Sequence, residues 1–95
     1  MSKKTAWLLQ LINDDPIDPI RIQKGMFLFA MESGAPKSET YDFVPYNWGP
    51  CSFEVYGDLE QLLEKGFIDR VPVPGATWHR YRRTEDGARQ AALTA

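Results

Sequence analysis

The chain has 95 residues, of which 43% are hydrophobic, and a formal net charge of −2 at pH 7. This length predicts one domain over residues 1–95, and the apolar content excludes a chain that is disordered throughout. The single cysteine, Cys51, excludes an internal disulfide and any zinc site that needs two thiolates.

The first third of the sequence predicts two helices. Residues 5–12 are mostly apolar and predict a short, largely buried helix rather than a signal peptide, because no small-residue cleavage site follows. Asp18 and Pro19 predict the start of a second helix, which Gly34 and Pro36 end. Its second half is apolar around most of its circumference, so we expect it at the centre of the core. No apolar run approaches the roughly 20 residues that cross a bilayer, which favours a cytoplasmic location without membrane contact.

A long connection over residues 34–50 precedes a third helix. Residues 41–46 are rich in strand formers, but Pro45 restricts them to an edge strand or an extended segment. Residues 47–50 predict a turn that leads directly into a helix over residues 51–65. This helix ends at Gly66 in a left-handed conformation. Its apolar positions form one stripe and consist of Val55, Tyr56, Leu59, Leu62 and Leu63.

The last third of the sequence predicts a hairpin and a final helix. Residues 67–73 and 78–83 are strand-like and flank a turn at Pro74 and Gly75. Thr84 predicts the N-cap of the last helix. This order of elements is typical of a winged helix. We therefore predict an α+β fold, mostly α, with a three-helix core, a two-stranded β-hairpin wing and a short C-terminal helix.

Two resemblances agree with this fold. Residues 58–90 resemble the C-terminal half of many winged-helix regulators. A narrower set of motifs consists of Arg21-Ile22-Gln23-Lys24 with Phe27 and Phe29, Tyr41-x-Phe43, Tyr46-x-x-Gly49-Pro50-x-Ser52, Asp58-Leu59-x-x-Leu62 and Gly66-x-Ile68. This set is similar to the SocA-like antitoxin (Panacea) domain and its bacterial relatives. This resemblance implies a winged-helix-like core that often binds partner proteins, toxins among them.

Basic residues of the predicted wing point to double-stranded DNA as a partner. Arg80, Arg82 and Arg83 fall in a segment without acidic residues, where a wing contacts the minor groove or the phosphate backbone. Arg21 and Lys24 could extend the same footprint. The first hypothesis is therefore a DNA-binding regulator that works as a homodimer. The simpler interpretation is a solvated strand face, in which Arg80 or Arg82 covers Trp78 by stacking.

The second hypothesis is a protein-interaction module on the same fold. Residues 38–69 contain seven acidic residues against one basic residue, a net charge of −6. Glu54, Asp58 and Gln61 are predicted one helical turn apart on the exposed side of the third helix, where acidic groups oppose phosphate binding. This face and Trp48 are the candidate contact residues, although Trp48 is more simply explained by closing the core.

The sequence offers little for catalysis. His79 is the only histidine and has no nucleophile or carboxylate beside it in the sequence, so we expect an ordinary strand residue. Cys51 could be activated at a helix start, but a small buried residue is the simpler interpretation. No phosphate-binding loop or metal-ligand spacing is present in the sequence. We therefore expect no catalytic residues, metal, cofactor or small-molecule substrate.

Overall fold

A computed structural model describes residues 1–94 of the chain. Over these residues the chain forms an α+β fold with four α-helices and two antiparallel sheets of two strands each. The elements are α1 (Lys3–Leu11), α2 (Pro19–Glu32), a 3₁₀ turn (Lys37–Glu39), β1 (Val44–Tyr46), β2 (Gly49–Cys51), α3 (Phe53–Glu64), β3 (Ile68–Pro72), β4 (His79–Arg83) and α4 (Glu85–Thr94).

The first two helices begin at side-chain caps. The amide of Thr5 donates to the hydroxyl of Ser2, and the amide of Arg21 donates to the Asp18 carboxylate over 2.9 Å. The predicted start of α2 at Asp18 and Pro19 is therefore confirmed. Each carboxylate or hydroxyl satisfies an amide that has no partner within the helix.

The expectation that the second half of α2 lies at the centre of the core is wrong. Ile22, Gln23 and Met26 are buried, whereas Leu28 is exposed and Met31 is 68% exposed. The helix packs against α1 and β2, so only part of its circumference is covered. Some of the apolar side chains of α2 are therefore exposed to solvent.

The β1–β2 hairpin replaces the predicted turn into α3. Tyr46 pairs with Gly49 across a loop of Asn47 and Trp48, and Pro45 pairs with Pro50. The third helix consequently begins at Phe53 rather than at Cys51, which lies in β2. Neither proline has an N–H to donate, so this central pair cannot form ladder hydrogen bonds through its amides. For this reason the sequence does not predict a strand at Pro50.

Helix α3 buries one stripe, as its periodicity predicts. Val55, Leu59 and Leu62 are fully buried, but Tyr56 is 42% exposed and does not belong to that stripe. After the helix, Gly66 adopts a φ of 75°, and its amide donates to the carbonyl of Leu63. The amide of Phe67 donates to the carbonyl of Leu62, which completes a Schellman motif. The predicted left-handed Gly66 is confirmed.

The second hairpin is formed by β3 and β4 as predicted. Arg70 pairs with Tyr81 in an antiparallel register, and the amide of Ala76 closes the turn on the carbonyl of Val73. Ile17, in the connection between α1 and α2, exchanges two hydrogen bonds of 2.8 Å with Tyr81. The connection therefore adds a third extended segment beside β4.

Helix α4 packs closely behind this hairpin. The hydroxyl of Thr84 accepts from the amide of Gly87 and donates to the carbonyl of Gly66, which confirms the predicted N-cap. A Cβ on Gly87 would lie 1.9 Å from the carbonyl oxygen of Phe67. The start of α4 therefore touches the connection between α3 and β3 at a point where only glycine fits.

The core joins all four helices to β3 and β4. Its buried members are Leu8, Leu9, Ile12, Ile22, Met26, Tyr41, Val55, Leu59, Leu62, Ile68, Tyr81 and Ala91. None of the helices over residues 1–94 combines the length and the apolar character needed to cross a membrane.

Candidate functional site

An apolar groove with a basic edge lies between the start of α2, the β1–β2 loop and the segment before β4. Its volume is about 460 Å³. Its lining residues are Asp18, Pro19, Ile20, Arg21, Lys24, Trp48 and Trp78. This volume falls within the roughly 300–1,000 Å³ of sites that hold ligands in proteins.

The apolar side chains of the groove stand open to solvent. Trp48 is 76% exposed, Trp78 is 46% exposed and Ile20 is 49% exposed. The expectation that Trp48 closes the core is therefore wrong, because Trp48 lies in the loop of the β1–β2 hairpin and does not pack against the buried core. Large exposed apolar groups that lie together mark contact surfaces more often than isolated ones do.

The basic edge of the groove is formed by Arg21 and Lys24. Within the described residues, Lys24 takes part in no ion pair, and Arg21 approaches only Asp18, at 3.7 Å between Nε and Oδ2. That carboxylate already accepts the capping hydrogen bond from the amide of Arg21. The guanidinium N–H groups and the ammonium of Lys24 therefore remain available to an anion.

The aromatic surface continues beyond the groove along the hairpin. A smaller depression shares Ile20 and Trp48 with the groove and adds Tyr46 and Tyr56. The rings of Tyr46 and Phe53 meet edge to face at 5.8 Å, and both side chains are exposed. Such a pair holds its rings in place before any partner arrives.

The three arginines of β4 do not share one face. Arg80 and Arg82 are exposed, and their cross-strand neighbours are Val71 and Asp69. Arg83 is half-buried, and its Nη1 donates to the carbonyl of Leu9 over 3.4 Å. The inclusion of Arg83 in the nucleic-acid surface is corrected, because β-strand alternation turns it toward α1.

The exposed acidic face predicted for α3 also loses one member. Asp58 is half-buried, and its Oδ2 accepts from the hydroxyl of Tyr41 at 2.6 Å and from that of Thr5 at 3.2 Å. Glu54 accepts from the ammonium of Lys4 at 3.1 Å. Gln61 remains exposed, as predicted. Asp58 therefore joins three segments of the fold and is not free for a partner.

The residues considered for catalysis lie apart from one another. Cys51 is buried in β2, as its simpler interpretation predicts, and His79 begins β4, where its ring meets that of Tyr81. Burial raises the pKa of the Tyr41 hydroxyl, and its hydrogen bond to Asp58 raises it further. Over residues 1–94 no three acidic, histidine or cysteine side chains gather into a possible metal site.

Sequence reasoning selected Arg21, Lys24 and Trp48 but missed Ile20. It also assigned the first two to DNA and the third to protein, whereas all three line one groove. No family model, curated protein or solved structure matches the chain. The side chains of the groove are therefore the basis on which a function is proposed.

Proposed function

We propose that this chain is a winged-helix binding module that recognises a partner protein and catalyses no reaction. The order of α1, α2, α3 and the β3–β4 hairpin supports the winged-helix assignment, as does the pairing of Ile17 with Tyr81 beside the hairpin. The motifs that resemble the SocA-like antitoxin domain agree with a protein-binding role. Fold alone does not determine function, so the proposed function is argued from the exposed side chains.

One observation carries it: Trp48 and Trp78 line a single open groove although they come from different segments of the chain. Tryptophan is enriched among the residues that dominate binding energy at protein interfaces. Two exposed tryptophans lower the solubility of a protein. Their presence in one groove therefore indicates a partner that covers them. Tyr46 and Phe53 continue the exposed aromatic surface beyond the groove, which favours a polypeptide over a small molecule as the partner.

Photo-crosslinking from the groove in the source cell tests this proposal. A photoreactive phenylalanine at position 48 should form a covalent complex with a specific protein, and Trp78→Ala should abolish that complex. The control places the same group at Leu93, which is 81% exposed on α4 and lies outside the groove. A product spectrum that is the same from positions 48 and 93 would contradict the proposal.

Double-stranded DNA is the second candidate partner. It is favoured by Arg80 and Arg82, which are exposed on the outer face of β4 and form no ion pair among residues 1–94. Arg21 and Lys24 could extend this footprint, and a homodimer would present two such hairpins to one duplex. The exposed glutamates of α3 count against this candidate, because phosphate neutralisation dominates DNA affinity.

Fluorescence anisotropy with a labelled duplex at low salt separates the two candidates. DNA binding predicts an affinity that falls with salt and falls again in the Arg80→Ala/Arg82→Ala variant. Arg83→Ala is the matched control, because its guanidinium faces α1. A chain that binds no duplex at low salt is not a DNA-binding regulator.

A further inference from the structure

We propose that the groove lined by Trp48 and Trp78 binds an extended acidic segment of the partner protein. In this complex a large apolar side chain of the segment packs on the two indoles, and neighbouring carboxylates bind Arg21 and Lys24. The inference rests on the proposed protein-binding function and adds the chemistry of the partner.

The positive charges on the basic edge of the groove indicate that the bound segment is negatively charged. Arg21 and Lys24 are both exposed, and their two positive charges exceed the single negative charge of the Asp18 carboxylate, which also caps α2. The guanidinium contact to Asp18 is longer than a hydrogen bond, so its donors can form the paired bonds that carboxylates accept. A basic partner segment would instead place like charges beside one another, which costs affinity.

The shape of the groove favours a segment over a folded surface or a small molecule. Ile20, Trp48 and Trp78 are all exposed to solvent, so the groove is open at the surface and is not an enclosed cavity. Indoles pack readily against aliphatic and aromatic side chains. An apolar residue flanked by aspartate or glutamate therefore matches both the apolar side chains and the basic edge of the groove.

Single-stranded nucleic acid is the competing occupant, since bases also stack on tryptophan and phosphates also bind arginine. The lining argues against it in one respect. Pro19, Ile20 and the two tryptophans make most of the lining apolar, and nucleic-acid interfaces are more polar than this. We therefore treat a nucleic-acid ligand as an outcome that the experiment must detect.

Selection of a phage-displayed random peptide library on the immobilised full chain tests the inference. The enriched peptides should carry a large apolar residue beside at least two acidic residues. Their affinity should fall roughly tenfold in the Arg21→Glu/Lys24→Glu variant and should weaken with salt. Lys37→Glu is the matched charge reversal outside the groove and should leave the affinity unchanged.

The outcomes separate this inference from the proposed function. Enriched peptides that require Trp48 but carry no excess of acidic residues would overturn the inference and leave the protein-binding proposal standing. Peptides that bind equally well to Trp48→Ala, or no enrichment at all, would count against both. A labelled oligothymidylate that binds more tightly than the peptides, and does so through Trp48 and Arg21, would overturn the inference in favour of nucleic acid.

Discussion

The hydroxyl of Tyr41 donates a hydrogen bond to Oδ2 of Asp58 over 2.6 Å and fixes the segment before β1 to α3. Thr5 of α1 donates to the same oxygen, so three parts of the chain meet at one carboxylate. Tyr41 is buried, and Lys4 lies over its ring at 5.8 Å. This contact positions the strand that leads to the Trp48 loop.

Tyr41→Phe should lower the free energy of unfolding by roughly 2 kcal/mol, because the variant removes a hydrogen bond to a charged acceptor. Urea unfolding followed by circular dichroism measures the change. The matched control is Tyr46→Phe, whose exposed hydroxyl forms no side-chain hydrogen bond within the described chain. Equal stability of the two variants would mean that the Tyr41–Asp58 bond contributes nothing.

The raised pKa of Tyr41 predicts how the stability of the fold changes at alkaline pH. Burial and the Asp58 carboxylate raise the pKa of Tyr41 above its ordinary value of 10.0, so the native state retains the proton after the unfolded state has lost it. The stabilisation is complete below pH 10.0 and declines as the pH rises beyond it, by up to about 1.4 kcal/mol per pH unit.

A pH series of unfolding midpoints checks this dependence. Tyr41→Phe should show a shallower decline than the native chain. Some decline should remain, because burial also raises the pKa values of Tyr56 and Tyr81. Identical slopes above pH 10.0 would show that Tyr41 titrates alike in both states.

Two glycines on helices should respond to alanine in opposite directions. Gly87→Ala brings Cβ against the backbone carbonyl of Phe67, and we expect a loss of about 3 kcal/mol or more, as for other overpacked sites. A Cβ on Gly57 of α3 meets nothing within 4 Å, so Gly57→Ala should stabilise by roughly 0.5–1 kcal/mol. Thermal unfolding of both variants measures the difference, and a shift of the same sign in both would refute it.

The starts of α2 and α4, the end of α3 and the β3–β4 hairpin are predictable from sequence because local chemistry determines them. Asp18, Gly66 and Thr84 each bond to amides or carbonyls within a few residues, so their roles follow from their positions in the chain. The apolar stripe of α3 is predictable for the same reason, apart from Tyr56.

Contacts between distant segments explain the predictions that were wrong. Pro45 and Pro50 both disfavour strands, yet they face one another in the β1–β2 hairpin. Helical spacing places Asp58 among exposed residues, but Tyr41 arrives from another segment and covers it. The groove also depends on contacts between distant segments, because only the tertiary structure brings Trp48 and Trp78 together.

Gln23 offers a further test of how the hairpin is held. Its amide group accepts from the N–H of Ser52 over 2.8 Å and donates to the carbonyl of Ser52 over 3.0 Å, and both residues are buried. Gln23→Ala leaves the buried amide of Ser52 without a partner, whereas the carbonyl of Ser52 still accepts from the amide of Val55, so the variant should cost about 2 kcal/mol. Gln61→Ala, on the exposed side of α3, is the control and should change the stability by less than about 0.5 kcal/mol. Equal losses in the two variants would contradict this role of Gln23.

The three indole N–H signals in a ¹H–¹⁵N correlation spectrum test the binding groove most directly. A peptide selected on the full chain should shift the signals of Trp48 and Trp78 as it is titrated. The Trp7 signal should stay in place, because Trp7 is half-buried, packs on Phe29 at 4.8 Å and does not line the groove. A saturating peptide that leaves Trp48 and Trp78 unmoved, or shifts Trp7 as much, would contradict the assignment of this groove as the binding site.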